Sequence, residues 1–476
     1  MRKLSIRTPL LLAAFIAGAG WSAAATPLGD AVVIHAKELI VRPGEVLEDV
    51  DVLVIDGVIR RVEAGIEVPE GARELSGAVV CAGMIDPWSV LGLQSAETTF
   101  TSPSPATRSA DSFDPFGQEF QKKQALESGV TSVRVQAARR AMVSGLSSVM
   151  SLAPSSDEDL IVQGEVALGA SIGLTNPSSG GSTFSRGSDG SFLVIETGPT
   201  PMDPFERISQ VDKIASLLDT GLSYRIAQNE HVHDLAEWNE AIAEKVKEIE
   251  KDFKKAKKDR DKEIEEAKED GKEFKEERYK EDKAPKAPKF DADKEIFARV
   301  ANGETPLVIE VHRVAEIRNL LEATADFGRL RMVIAGGTEA AAFADELAER
   351  NIPVIVNPLT HGAGAFDEFD GHDPTLAGIL AEAGVDVLIG TGGHAAGATR
   401  DLPLMAALAA GGGMEEDDAF AAITSVPARI FNLTDRGTIE FGKQADLLIL
   451  DGQPLSTTTS VKAVLVGGRV VVEPKE

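Results

Sequence analysis

The sequence predicts an α/β protein organised around a (β/α)8 TIM-type barrel, on three observations. Between residues 129 and 389, apolar runs of strand length alternate with helix-length amphipathic stretches, the pattern of a parallel α/β architecture. The interval 84–435 has room for a barrel of about 250 residues plus insertions. The two ends of the chain carry short β-type runs instead, and 43% hydrophobic residues over 476 positions suffice for a large core and two domains.

Residues 1–25 read as a secretory signal. Arg2, Lys3 and Arg7 form a positive n-region, residues 10–20 a short apolar run, and Ala23-Ala24-Ala25 a small-residue cleavage site. That run falls short of the roughly 20 apolar residues of a spanning helix. The expectation is a periplasmic or secreted mature chain with no membrane span. No cysteine lies at the cleavage point, which argues against a lipoprotein, and Cys81 is the only cysteine, so no intrachain disulfide can form. Within its apolar run Cys81 reads as a buried small hydrophobe. The formal charge of -27 becomes -30 once the three basic residues of the signal are removed (-27 - 3). Such a charge repels nucleic acid and anionic membranes and excludes them as partners.

After the signal, strands are predicted at 31–35, 52–55 and 58–62, punctuated by Gly57 and Gly71, and at the far end at 445–450 and 461–472, broken at Gly467-Gly468. In between, strands are expected at 129–135, 306–311, 331–335, 352–356 and 385–389, with helices at 314–325, 339–349 and 374–383. Residues 151–204 are rich in Ser and Gly, and 178–190 read as a long loop. A charged helical insertion is expected at 237–289. Leu235, Trp238, Ile242, Val246, Ile249, Phe253, Ala256 and Ile264 form one apolar stripe on it, at steps of mostly three and four. Gly271 interrupts that helix, and Lys283-Ala284-Pro285-Lys286-Ala287-Pro288 is a stiff linker. The stripe fits a helix lying on the barrel or a coiled-coil arm that meets another subunit.

The stretch Val79-Val80-Cys81-Ala82-Gly83-Met84-Ile85-Asp86-Pro87-Trp88-Ser89-Val90 and the tail Gly437-Thr438-Ile439-Glu440-Phe441-Gly442-Lys443-Gln444-Ala445-Asp446-Leu447, with Thr424, Pro427 and Ala428 upstream, resemble the amidohydrolase superfamily, most closely its imidazolonepropionase-like branch. The resemblance implies that residues 26–83 and 436–476 pair into one small composite β-sandwich beside a barrel at 84–435. It also implies a divalent metal, held by histidines and a carboxylate at strand ends, that hydrolyses C–N bonds.

Against that pattern the ligand positions are depleted. The His-x-His pair of the family falls on Trp88 and Val90, its second-strand histidine on Gly336, and its Thr-Asp carboxylate on Thr391-Gly392; only His312 is kept. A catalytic zinc needs about three His, Asp or Cys ligands and an open position for water, and that metal brings the pKa of water from about 15.7 to about 7. Other donors are few. His231-x-His233 has the pair spacing but enters a helical pattern, where i,i+2 residues do not face one another. His361 and His394 follow apolar strands and, with His312 and Asp86 nearby, could form a relocated zinc site on the C-terminal face of the barrel. Glu165 is the candidate bridging carboxylate, since no lysine occurs between Lys123 and Lys213. Neither a serine nucleophile elbow nor a dinucleotide glycine pattern is present.

Two functions follow from these residues. One is an exported pseudoenzyme of amidohydrolase type, with no cofactor and no confident catalytic residue, that binds a small ligand or pairs with itself or an active homologue. The other is a periplasmic hydrolase of cyclic amide or peptide-like C–N bonds with a rebuilt metal site.

Overall fold

Two large β-sheets share the chain, one drawn from its ends and one from its middle. The computed structural model describes residues 30–93, 104–136, 141–173, 182–186, 192–196, 202–269, 271, 283–359, 368, 371–393 and 395–473. The predicted signal, His361 and His394 lie outside them.

The first sheet takes β1 (Ala31–Arg42), β2 (Glu45–Ile55), β3 (Val58–Glu63) and β4 (Arg73–Ala82) from the start of the chain. The barrel sheet follows with β5 (Met84–Ser89), β6 (Val130–Val135), β7 (Val143–Ser151) and β8 (Ile161–Ser171). A separate hairpin is formed by β9 (Ser182–Arg186) and β10 (Phe192–Glu196). The barrel sheet resumes with β11 (Leu307–Val311), β12 (Met332–Gly336), β13 (Val354–Val356) and β14 (Val387–Ile389), and β15 (Leu447–Leu450), β16 (Val461–Val466) and β17 (Arg469–Val472) complete the first sheet.

That first sheet has the order β17-β16-β15-β4-β1-β2-β3, so β15 from the far end pairs directly with β4, Leu448 opposite Cys81. The tail motif earns its place here. Asp446 accepts from Arg436 at 2.9 Å and from the Gly467 N–H at 2.8 Å, and Arg436 also donates to Ser132 of β6 at 3.1 Å. One carboxylate and one guanidinium thus bind the sheet to the barrel floor. Cys81 is fully buried, and burial pushes its thiol well up, consistent with a packing role.

The barrel sheet runs β14-β13-β12-β11-β8-β7-β6-β5. Seven of its strands are parallel, but β7 is antiparallel to both β6 and β8, a departure from the all-parallel expectation. Chain length explains the reversal. β6 ends at Val135 and β7 starts at Val143, too few residues for the dozen or so that a parallel crossover needs. Serines stabilise the hairpin: Ser147 donates to the Ala167 carbonyl at 2.9 Å and Ser148 to that of Gly164 at 2.7 Å. β8 and β9 also fall in the Ser/Gly-rich stretch, and β9 occupies part of the loop expected at 178–190.

The helices are α1 (Glu119–Glu127), α2 (Pro204–Glu269), α3 (Ala292–Ala301), α4 (Val314–Ala323), α5 (Ala344–Glu349), α6 (Leu376–Glu382), α7 (Leu402–Gly411), α8 (Glu416–Ala421) and α9 (Ser425–Ile430). The charged helix starts at Pro204, well before the predicted insertion, because Val211, Ile214 and Leu218 continue its apolar face into the barrel core. It ends next to Gly271 (φ +66), as the sequence indicated. His231 and His233 are therefore mid-helix rather than at its entry; His233 is exposed and pairs with Glu237 at 3.2 Å. No helix among the described residues is long and apolar enough to cross a membrane.

Candidate functional site

The C-terminal ends of the parallel strands converge on one rim, where the expected ligand positions meet. At the seam between the first and last barrel strands, no ladder joins β5 to β14. Asp86 joins them. Its carboxylate accepts from the Thr391 hydroxyl at 2.5 Å and the Thr391 N–H at 3.2 Å, as well as from the Trp88 N–H at 3.0 Å. The Gly393 N–H adds a bond to the Trp88 carbonyl at 3.0 Å. Burial pushes the Asp86 carboxyl up, and the Thr391 hydroxyl works against that shift.

Trp88 is the first of the ligand positions expected from the resemblance. It is 7% exposed, and a Cβ on Gly393 would fall 2.6 Å from its Nε1. Gly390 is equally constrained, with the Trp88 Cβ 2.9 Å from its missing side chain. The indole thus fills the seam, and two glycines make room for it.

His312, the retained position, follows β11 and is buried. Its Nδ1 hydrogen-bonds the Thr338 hydroxyl at 2.7 Å, and its Nε2 lies 3.5 Å from Glu310. A Cβ on Gly336 would sit 2.3 Å from His312 Cε1. Gly336 also has φ +84, a region costly for side chains. The imidazole of His312 occupies the space into which a second ligand at 336 would project.

Beneath the rim lies a fully buried guanidinium. Arg134 of β6 donates to the Pro87 carbonyl at 2.9 Å, to Ser147 at 3.0 Å and to Gln136, with its Cζ 5.0 Å from the Phe431 ring centroid. Burial depresses its pKa to about 9 while the Asp86 charge opposes the drop, so it stays cationic at neutral pH. The barrel interior therefore holds a buried guanidinium tied to β5, β6 and β7. The clue in the sequence was an arginine alone in the apolar run Val133-Arg134-Val135.

Other predicted donors lie elsewhere. Glu165 sits in the first half of β8, far from its C-terminal end, and pairs with Arg299 of α3 at 2.8 Å. It is not a bridging ligand; the strand direction places it toward the barrel floor. Among the described residues no three His, Cys, Asp or Glu side chains gather where they could hold a metal ion. The donors among the described residues do not make up the metal centre that the fold family implies. His361 and His394 lie outside the described residues.

A second polar cluster was missed in the sequence. Arg207 at the start of α2 donates to Glu316 of α4 at 3.0 Å and to Glu368 at 3.2 Å, all three side chains at most 3% exposed. Its members lie far apart in sequence, and each alone looks like a surface charge.

With this geometry in place, the relatives can be compared. Residues 380–472 match the model of the Amidohydrolase family, a match consistent with the imidazolonepropionase-like branch. An amidohydrolase from Thermotoga maritima MSB8 is 24% identical, aligned over 93% of this chain and 100% of its own, with a TM-score of 0.65. The chain has the fold of the amidohydrolases. A prolidase solved with N-methylphosphonate-L-proline is 16% identical over 94% of this chain and 100% of its own, TM-score 0.51. The A. niger ochratoxinase is 16% identical over 94% of this chain and 96% of its own, TM-score 0.50. No curated protein matches the sequence. The amidohydrolase barrel and the separate sheet are thus common ground.

Proposed function

We propose that this amidohydrolase-fold protein is an exported pseudoenzyme that has given up metal-dependent C–N hydrolysis and works by binding a small ligand or a partner chain. The reading is carried by the His312–Gly336 contact: one family ligand fills the space of another, so the pair cannot act together on one ion. Trp88 against Gly390 and Gly393, and Asp86 engaged by Thr391, support it. A site that had lost only one ligand would leave a gap; here the neighbouring side chains have taken the space.

Elemental analysis of the purified full chain, before and after incubation with zinc, manganese or iron, tests this. The expected result is no stoichiometric metal and no turnover of dipeptides or cyclic amides. Stoichiometric metal that is lost in His312→Ala, His361→Ala and His394→Ala, together with turnover, would establish the relocated three-histidine hydrolase instead. Export is tested separately: the secreted protein should begin close to residue 26 when its N-terminus is sequenced.

A further inference from the structure

The 66-residue helix α2 is longer than its anchoring requires. At about 1.5 Å per residue it measures roughly 100 Å. Its first third is seated in the barrel body, where Val211, Ile214, Leu218 and Tyr224 are buried. At Gly221 the helix crosses α3 so closely that a Cβ would fall 2.4 Å from the Phe297 backbone. Just beyond it, Arg225 and Gln228 tie the helix to the body, each 3.2 Å from Glu295. Beyond Tyr224 no described residue of α2 is buried.

On this outlying part the sequence keeps a strict apolar register. Ile242, Val246, Ile249, Phe253 and Ala256 follow one another at steps of four, three, four and three, the heptad of a coiled coil. Val246 is 48% exposed, so the seam is open at that position. The main contacts of α2 with other helices are those with α3 and α4 of the body, and of the described seam positions Ile242 is half-buried and Val246 exposed. A solvated arm has no use for a heptad.

We propose that the arm pairs with the same arm of a second copy of this chain. The flanking charges favour a like helix in either orientation. Antiparallel pairing sets Lys245 beside Asp252 of the other copy, and parallel pairing sets it beside Glu250 and sets Asp252 beside Lys257. Residues 242–257 also carry six bases against four acids, so on a chain of charge -27 this is a segment where two copies can approach without strong repulsion. The proposal stands independently of the metal-site reading.

Sedimentation of the full mature chain across a concentration series should show a monomer–dimer equilibrium. Val246→Asp should raise its dissociation constant at least about tenfold, with helix content by circular dichroism unchanged. Val246→Cys gives an independent readout, since the only native cysteine is buried. Mild oxidation should convert it to a disulfide-linked dimer, whereas Glu244→Cys, off the seam, should remain monomeric under the same conditions. A wild-type chain that stays monomeric throughout, a dimer unaffected by Val246→Asp, or equal cross-linking at both positions would overturn the proposal.

Discussion

Asp86 and Thr391 lie 305 positions apart, yet the hydroxyl of one donates to the carboxylate of the other at 2.5 Å. This pair does at the barrel seam what backbone hydrogen bonds do between the other barrel strands.

Removing that link should be costly. Asp86→Ala orphans the Trp88 and Thr391 N–H groups and deprives the buried Arg134 of its counter-charge, so a loss of about 3–5 kcal/mol is expected in urea unfolding. Thr391→Val, which removes only the hydroxyl, should cost about 1–3 kcal/mol. Equal stability of Asp86→Ala and wild type would mean that the seam is held by other contacts.

The His312–Gly336 contact predicts a double-mutant coupling. Gly336→Ala should destabilise by about 1–3 kcal/mol through the clash with the imidazole and the positive φ. In a His312→Ala background the steric part disappears, so the cost of Gly336→Ala should shrink measurably by thermal or urea unfolding. Strict additivity of the two substitutions would contradict the contact.

The buried cluster of Arg207, Glu316 and Glu368 predicts an asymmetry. Arg207→Ala leaves two carboxylates in the core without their shared cation and should cost about 3–5 kcal/mol. Glu316→Gln, which keeps the shape and removes one charge, should cost distinctly less. Urea unfolding midpoints of the two variants, measured side by side, check the order.

His35 predicts a dependence on pH. Its pKa is raised, chiefly by the hydrogen bond to Asp51 at 2.7 Å, with Glu74 adding at 3.4 Å. The folded pKa thus exceeds the unfolded value near 6.5. The stabilisation is fully present below the unfolded pKa and is lost as pH rises through the raised folded one. The difference in melting temperature between wild type and His35→Asn should therefore be largest near pH 5.5 and shrink toward pH 8. A difference independent of pH would show that the imidazole stays neutral.

What could be read from the residues alone was whatever depends on local pattern. Apolar runs gave five of the eight barrel strands and four of the nine helices among the described residues, because burial of one face dictates the spacing of side chains along an element. Trp88, Val90, Gly336 and Gly392 as replaced ligand positions are what the resemblance to the amidohydrolase motifs implies, each standing beside an apolar strand. Relations between distant segments were not legible. The reversal of β7 follows from the short connection after Val135, and its serines satisfy neighbours that only pairing reveals. Likewise, a lone buried arginine such as Arg134 or Arg207 gives no hint of its partners. Burial turns such a charge from a solvated group into one that must find its acceptors within the fold, and only the tertiary arrangement decides which ones they are.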